Sequence, residues 1–273
     1  MRDGIHKNED LPAVLTIAGF DPTGEAGIIA DVRTIEALGC RSLAVITSVT
    51  FQNSQNVFGA LHQSRDSLHA QIAALAEESH IAAVKTGMLP TREIVVEAAR
   101  LLSERDLPRP VLDPVFRSTS EFDLIEENAI EPLINELLPA ARLITPNIPE
   151  AERLTGLPIY NEADMREAAG KLRNLGARAV LIKGGHLSEN GRGREQAPRE
   201  AIDILDDNGK VTLFRGEWIH NPNRRGTGCM LSSAIAAGLA QNKSLEESVR
   251  VAKQFVADAI RFALHSTRSA TIA

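Results

Sequence analysis

The stretch Ala13-Val14-Leu15-Thr16-Ile17-Ala18 decides the fold class, together with the loop Gly19-Phe20-Asp21-Pro22-Thr23-Gly24-Glu25-Ala26-Gly27 and the segment Ile28 to Leu38 behind it. The opening run is short, β-rich and continuously apolar, the pattern of a strand buried on both faces. The loop offers Asp-Pro and Thr-Gly turn steps, and Ile28 to Leu38 carries apolar residues at helical spacing. A second apolar run, Leu43 to Val49, completes a strand-helix-strand unit.

The alternation continues outward. Ala82 to Thr86, Pro110 to Pro114, Arg142 to Thr145 and Ala179 to Lys183 read as further strands. Ser67 to Glu78, Arg92 to Glu104, Leu124 to Leu138 and Glu162 to Leu175 read as helices between them. This order predicts an α/β fold with a mainly parallel sheet covered by helices on both faces, where ligands sit beyond the carboxyl ends of the strands. Ile202 to Leu205 and Lys210 to Phe214 flank the turn Asp206-Asp207-Asn208-Gly209 and predict a hairpin at an antiparallel edge. In the last helix Ser244 and Glu247 form a capping box, and Leu245, Val249, Ala252, Val256, Ala259 and Ala263 form a stripe assigned to the core rather than to a site. The polar stretch Ser188 to Glu200 reads as a surface loop. A single domain over 11–265 suffices, with flexible segments at 1–10 and 266–273.

Composition narrows the function classes. The chain has 273 residues, 43% apolar and 24% charged, as in soluble globular proteins. A net charge of -6 disfavours a nucleic-acid partner, which needs clustered Lys and Arg. No apolar run approaches the roughly 20 residues that span a bilayer, and residues 1–10 lack the apolar core of a secretory signal. Cys40 and Cys229 are far apart without a C-x-x-C partner, which fits a reducing cytoplasm. Of the seven histidines, His62, His69, His80, His186 and His220 have no metal-ligand spacing.

The chemistry concentrates after the strands. Asn223-Arg224-Arg225-Gly226-Thr227-Gly228-Cys229-Met230 leads into the small-residue segment Leu231 to Ala240. Two glycines admit a ligand to the backbone, and the free N–H groups of a first helical turn favour an anion there. If the anion is a transferring phosphoryl group, Gly226, Thr227 and Gly228 stabilise its charge. Cys229, its pKa lowered by the helix N-terminus, then takes the proton of an attacking hydroxyl; the plainer reading is a small buried residue.

Thr145-Pro146-Asn147-Ile148-Pro149-Glu150 follows a strand and opens a helix. Asn147 and Glu150 can hold a hydrated Mg²⁺ beside phosphates, or Glu150 can simply complement the helix dipole. Asp113 ends another strand as a cap or as a cleft carboxylate. Lys183 serves nucleotide phosphate or reaches out to water. Gln52 and Asn53 offer a heterocycle their donor and acceptor edges or are ordinary loop polarity. There is no G-x-x-x-x-G-K-[ST] motif, and Gly191-Arg192-Gly193 lacks the context of a dinucleotide fingerprint.

In order along the chain, Leu15 to Gly24, Lys85-Thr86-Gly87-Met88-Leu89, Leu112-Asp113-Pro114-Val115, Thr145 to Ala151, Lys183-Gly184-Gly185-His186 and Gly226-Thr227-Gly228-Cys229 resemble the hydroxymethylpyrimidine/phosphomethylpyrimidine kinases, ribokinase-like enzymes of thiamine biosynthesis. The resemblance implies a three-layer α/β/α sandwich, a homodimer, and ATP- and Mg²⁺-dependent phosphorylation of 4-amino-5-hydroxymethyl-2-methylpyrimidine and then of its monophosphate. It implies Cys229 as proton acceptor and Gly226 to Gly228 as anion hole. Lys183, Asn147 and Thr145 fall on the nucleotide side, and Asp113 and Glu150 on the metal side. Ala26, Asp31, Gln52, Met88 and Val115 fall on the substrate side.

Three departures stand out. Phe116 to Asp123 replaces the family's Lys-Ser-Gly-Asp flap, leaving Arg117 as the cation available for a phosphorylated substrate. Glu25 replaces a glycine, and Arg225 a histidine. Pyridoxal or pyridoxine kinase activity, and a pyrimidine-binding protein without turnover, are the competing readings.

Overall fold

The computed structural model describes residues 11–185, 200–219 and 225–270. The expectations for residues 1–10, for the loop at 188–199, and for His186, His220, Asn223 and Arg224 lie outside them. Strand β1 (Ala13–Phe20) is central, pairing in parallel with β2 (Arg41–Gln52) on one side and β4 (Ile81–Thr86) on the other. The sheet runs β3-β2-β1-β4-β5-β6-β7-β8-β9, with β3 (Val57–His62), β5 (Val111–Leu112), β6 (Leu143–Ile144), β7 (Ala179–Ile182), β8 (Glu200–Asp207) and β9 (Lys210–Glu217). β1, β2 and β4 to β7 are parallel neighbours; β3 and β8 pair antiparallel to theirs. Chain order reverses direction between β1 and β4, the switch point where a crevice opens beyond the strand ends.

Alternation along β1 divides the core. Leu15 and Ile17 join one apolar cluster, with Leu68 and Ile72 of α2 (Arg65–Glu78) and Ile94 of α3 (Arg92–Glu104). Val14 points the other way, to Ile35 of α1 (Gly27–Ala37) and Ile235 of the helix built by Leu231 to Ala240. Helices on both faces make the three-layer sandwich. The 127–140 stretch is not the regular helix expected: α4 (Ile130–Pro132) and α5 (Leu138–Ala140) flank a π-helical turn, Leu133–Leu137. Pro132 has no N–H to continue an α-helical ladder. Beyond it lie α6 (Ile148–Thr155), α7 (Glu162–Asn174), α8 (Thr227–Ala240) and α9 (Leu245–Ala270).

The β8–β9 turn places Asn208 at φ 58° and Gly209 at φ 91°, as a two-residue hairpin with right-handed twist demands. Strand β3 was not anticipated; its residues include exposed Phe58 and Leu61, and an edge strand need not show a clean apolar face. In α9 only Leu245, Val249 and Ala252 of the stripe are buried. Val256 and Ala259 are half-buried and Ala263 is exposed. Val256 also lines the cleft, so assigning the whole stripe to the core is corrected: the helix outruns the sheet it packs on and turns its second half toward the site. It also continues to Ala270, past the boundary at 265.

Candidate active site

Three neighbouring strands deliver the polar groups. Asp113 N–H donates to Thr86 O at 2.9 Å, Thr145 N–H to Leu112 O at 2.9 Å, and Lys183 N–H to Pro146 O at 2.9 Å. Asp113, Thr145 and Lys183 therefore leave the carboxyl ends of β5, β6 and β7 side by side. A cleft of about 1330 Å³ opens there. Ala26, Gln52, Met88, Val115, Asn147, Lys183, Trp218, Val256 and Ile260 all line it, and the strand order sets Gln52 and Met88, after β2 and β4, apart from Asn147 and Lys183, after β6 and β7. Gly226, Thr227, Gly228 and Cys229 lie in its wall as well.

Helix α8 begins at Gly226 with φ 75° and no side-chain cap. A Cβ on Gly226 would lie 1.8 Å from Glu25 O, so only glycine lets the 21–27 loop meet the helix start. A Cβ on Gly228 would lie 3.3 Å from Lys183 Nζ and 3.9 Å from Asp113 Oδ2. The helix thus turns bare backbone towards the charged groups.

Those groups form one network. Lys183 Nζ donates to Asp113 Oδ1 at 3.2 Å and stands 4.0 Å from Glu150 Oε2. Thr145 Oγ1 donates to Asp113 Oδ1 at 3.2 Å and Ser232 Oγ to Oδ2 at 3.4 Å. Asn147 and Glu150 complete a reciprocal capping box on α6: Glu150 N–H donates to Asn147 Oδ1 at 2.9 Å and Asn147 N–H to Glu150 Oε2 at 2.7 Å. The capping reading is realised, and Glu150 still lines the cleft. Burial would raise both carboxyls, but Lys183 and Lys85 hold Asp113 below the usual range. Glu150 is pushed up to about 7, by burial first and with Asp113 adding to it against Lys183. One ammonium shared by two carboxylates leaves the second short of positive charge.

Cys229 corrects the expectation of an acidified thiol. It is half-buried, and burial pushes it up to about 12. Lys85 and a hydrogen bond from the Gly27 N–H oppose the rise; Asp113 and Asp31 add to it.

Asp31 and Thr145 do not reach the cleft. Thr145 is wholly buried and holds Asp113 from behind. Asp31, wholly buried, accepts from Thr16 Oγ1 at 2.6 Å, Lys85 Nζ at 2.7 Å and Ser233 Oγ at 2.8 Å. In sequence Lys85 belongs to the motif Lys85-Thr86-Gly87-Met88-Leu89 and has no role of its own. Its signal was available: a lysine inside an apolar strand needs a buried anion, the argument already applied to Lys183. In the flap, Arg117 is tied to Asp123 Oδ1 at 2.7 Å and Glu121 Oε2 at 3.2 Å, so its charge is already matched. The departures Glu25 and Arg225 face one another, Nε to Oε2 at 3.4 Å.

The phosphomethylpyrimidine kinase family model matches residues 21–272. A hydroxymethylpyrimidine/phosphomethylpyrimidine kinase of Streptomyces coelicolor is 41% identical over 249 residues, 91% of this chain and 88% of that protein. Among solved structures, a phosphomethylpyrimidine kinase of Clostridium difficile superposes with a TM-score of 0.79 at 38% identity, covering 91% of this chain and 99% of that one. The pyridoxal kinase of Staphylococcus aureus in complex with AMP-PCP and pyridoxal gives 0.81 at 30% identity, covering 92% and 88%. With the ordered motifs converging on one cleft, these likenesses place the chain in the phosphomethylpyrimidine kinase family, whose fold is ribokinase-like.

Proposed function

We propose that this kinase transfers the γ-phosphoryl group of ATP to the hydroxymethyl group of 4-amino-5-hydroxymethyl-2-methylpyrimidine, and then to the resulting monophosphate, for thiamine biosynthesis. The observation that carries the reading is the position of Gly226 to Cys229 in the wall of one cleft, with the Gln52–Met88 pocket and the Lys183–Asn147 end both opening into it. The ring sits against Ala26, Gln52, Met88 and Val115. The nucleotide base takes the apolar surface of Val256 and Ile260, and Lys183 meets phosphate.

Charge on the transferring group falls on the backbone N–H groups at the start of α8, preorganised donors that need no rearrangement. Cys229 accepts the hydroxyl proton on Sγ as the thiolate, after its own proton has passed to water in the open cleft. Asp113 and Glu150 suit a magnesium ion, since two carboxylates share one ammonium and Glu150 is raised to about 7. Such an ion is held by one or two carboxylates, water and phosphates. When bound, magnesium supplies neutralisation of phosphate charge. In the flap Arg117 is already paired with Asp123 and Glu121, so the second transfer relies on the anion hole and Lys183. The family resemblance supports a homodimer working in the cytoplasm; among the described residues no helix is long and apolar enough to cross a membrane.

Steady-state assays with ATP, Mg²⁺ and the pyrimidine alcohol or its monophosphate test the reading; folded enzyme that consumes neither overturns it. The likeness to pyridoxal kinases motivates pyridoxine as the competing acceptor, and the ratio of kcat/KM values decides between them. Binding of pyrimidine without ADP release would mark a non-catalytic protein.

A further inference from the structure

Arg225 precedes the anion hole but points away from it, along the pocket's rim. Its guanidinium donates to Asn53 O at 2.7 Å and to Gln52 Oε1 at 3.0 Å. Glu25 Oε2 lies 3.4 Å away and Asp21 Oδ2 3.9 Å away. The Arg225 side chain is only 12% exposed. One cation thus joins the end of β2, the 21–27 loop and the start of α8.

The contact with Gln52 has a chemical consequence. A primary amide can present either its oxygen or its NH₂ group to a ligand, and a half-turn exchanges them. Guanidinium has donors and no acceptor, so the reversed amide would set N–H against N–H. The Gln52 oxygen is therefore committed to Arg225, and the NH₂ is left to donate into the pocket. A 4-aminopyrimidine offers a matching edge: ring nitrogen as acceptor beside the exocyclic amine, which the second oxygen lone pair can receive. A 3-hydroxypyridine bearing an aldehyde carries the opposite order next to its hydroxymethyl group, because the carbonyl only accepts and the ring hydroxyl beyond it donates.

We propose that Arg225 is a specificity-determining positioning residue, anchored by Glu25, that locks the Gln52 amide in the orientation favouring aminopyrimidine over pyridine alcohols. The proposal rests on the kinase reading above. It also explains why Glu25 is tolerated on a rim otherwise made for a neutral ring: its charge is matched by Arg225.

The test compares kcat/KM for the pyrimidine alcohol and for pyridoxal in wild type, Arg225→Met and Arg225→Lys, with melting curves as folding controls. Arg225→Met frees the amide to turn, and the pyrimidine-to-pyridoxal ratio falls by about 10-fold, mainly through the pyrimidine KM, as loss of one oriented hydrogen bond predicts. Arg225→Lys, still a donor without an acceptor, restores the ratio to within about 3-fold. An unchanged ratio in folded Arg225→Met overturns the proposal. If that variant does not fold, Gln52→Glu decides: it keeps an oxygen toward Arg225 but lacks the donor, so it melts no lower than wild type yet loses pyrimidine affinity about 10-fold. A wild-type pyrimidine KM in Gln52→Glu overturns the proposal as well. Wild type that phosphorylates neither alcohol removes the kinase reading instead, and calorimetric titration of both alcohols into the same variants then judges the lock by the same ratio.

Discussion

Replacing Lys85 by methionine isolates the energetics of the ion pair beneath the site. Both Lys85 and Asp31 side chains are wholly buried, 2.7 Å apart. Burial alone would lower the lysine, but Asp31 raises it above its ordinary range, so the lysine stays charged. Lys85→Met leaves the Asp31 carboxylate with only the hydroxyls of Thr16 and Ser233 recorded beside it. Breaking one side of a buried pair costs about 3–5 kcal/mol, because the stranded charge keeps its desolvation penalty. With an unfolding entropy of ~2.1 cal/mol/K per residue, a chain of this length loses roughly 5–9 °C in Tm. Asp31→Asn in the same chain removes the stranded charge and recovers at least about 1.5 kcal/mol of that loss. Calorimetric or urea melts of wild type, both single variants and the double variant close the cycle. A Lys85→Met protein that melts within about 2 °C of wild type, or a double variant less stable than Lys85→Met, would refute the reasoning.

Three further outcomes follow from the same geometry. Cys229→Ala lowers kcat by on the order of 10²-fold with little change in Tm; because the thiol is pushed up to about 12, iodoacetamide alkylates it at pH 8 about 10³-fold more slowly than an exposed cysteine, and rapid labelling would contradict the burial argument. Gly226→Ala places a Cβ 1.8 Å from Glu25 O at a backbone φ of 75°, so the loop must move and kcat/KM drops at least about 10-fold; a kinetically normal variant would show that the close approach is dispensable. Glu97, nearly buried between α2 and α3, is held down to about 2 from its ordinary 4.5, chiefly by Arg100 against its burial, with His69 and Arg65 helping. A depressed carboxyl contributes stability above its unfolded value and loses it as pH falls through the folded one. Glu97→Gln therefore costs about 1–3 kcal/mol at pH 7, a difference that shrinks between about pH 4.5 and 2; an equal difference at both pH values would point to packing instead.

Legibility followed the physics of each element. The helix Arg92–Glu104 is read to the residue, because Thr91 caps it and its apolar stripe is sharp. The six inner strands are found because strands buried on both faces are unbroken apolar runs. β3 is missed because exposed residues, Phe58 and Leu61, fall on both its faces, and the π-turn at Leu133–Leu137 because periodicity does not register a change of hydrogen-bond pitch. At the site, the cleft-lining residues that follow strands are legible, whereas the groups behind them are not. Thr16, Ser232 and Ser233 are hydroxyls in apolar surroundings, and only the fold reveals that Asp31 and Asp113 are their partners. Glu25 and Arg225 stand far apart in sequence, so their meeting is purely tertiary.

The thiol is where local reasoning reached the wrong sign, and magnitudes say why. A helix N-terminus is worth about 0.3–1 kcal/mol to an adjacent charge, up to about 2 when partly buried, or at most ~1.5 pK units. Moving Cys229 from its ordinary 9.0 to about 12 opposes that by three units, roughly 4 kcal/mol in net effect. The nearby cations cannot reverse it, because each is already engaged: Lys85 with Asp31, Lys183 with Asp113 and Glu150. The resting residue is therefore a thiol. Its thiolate is present at a fraction on the order of 10⁻⁵ at pH 7. Burial is also what lifts Glu150 to about 7, and with three carboxylates against two ammoniums the positive charge nearby offsets neither rise. Sγ can act as a base only after this thiol has lost its own proton, and the groups that favour its anion are Lys85, already paired with Asp31, and the Gly27 N–H, fixed by the backbone.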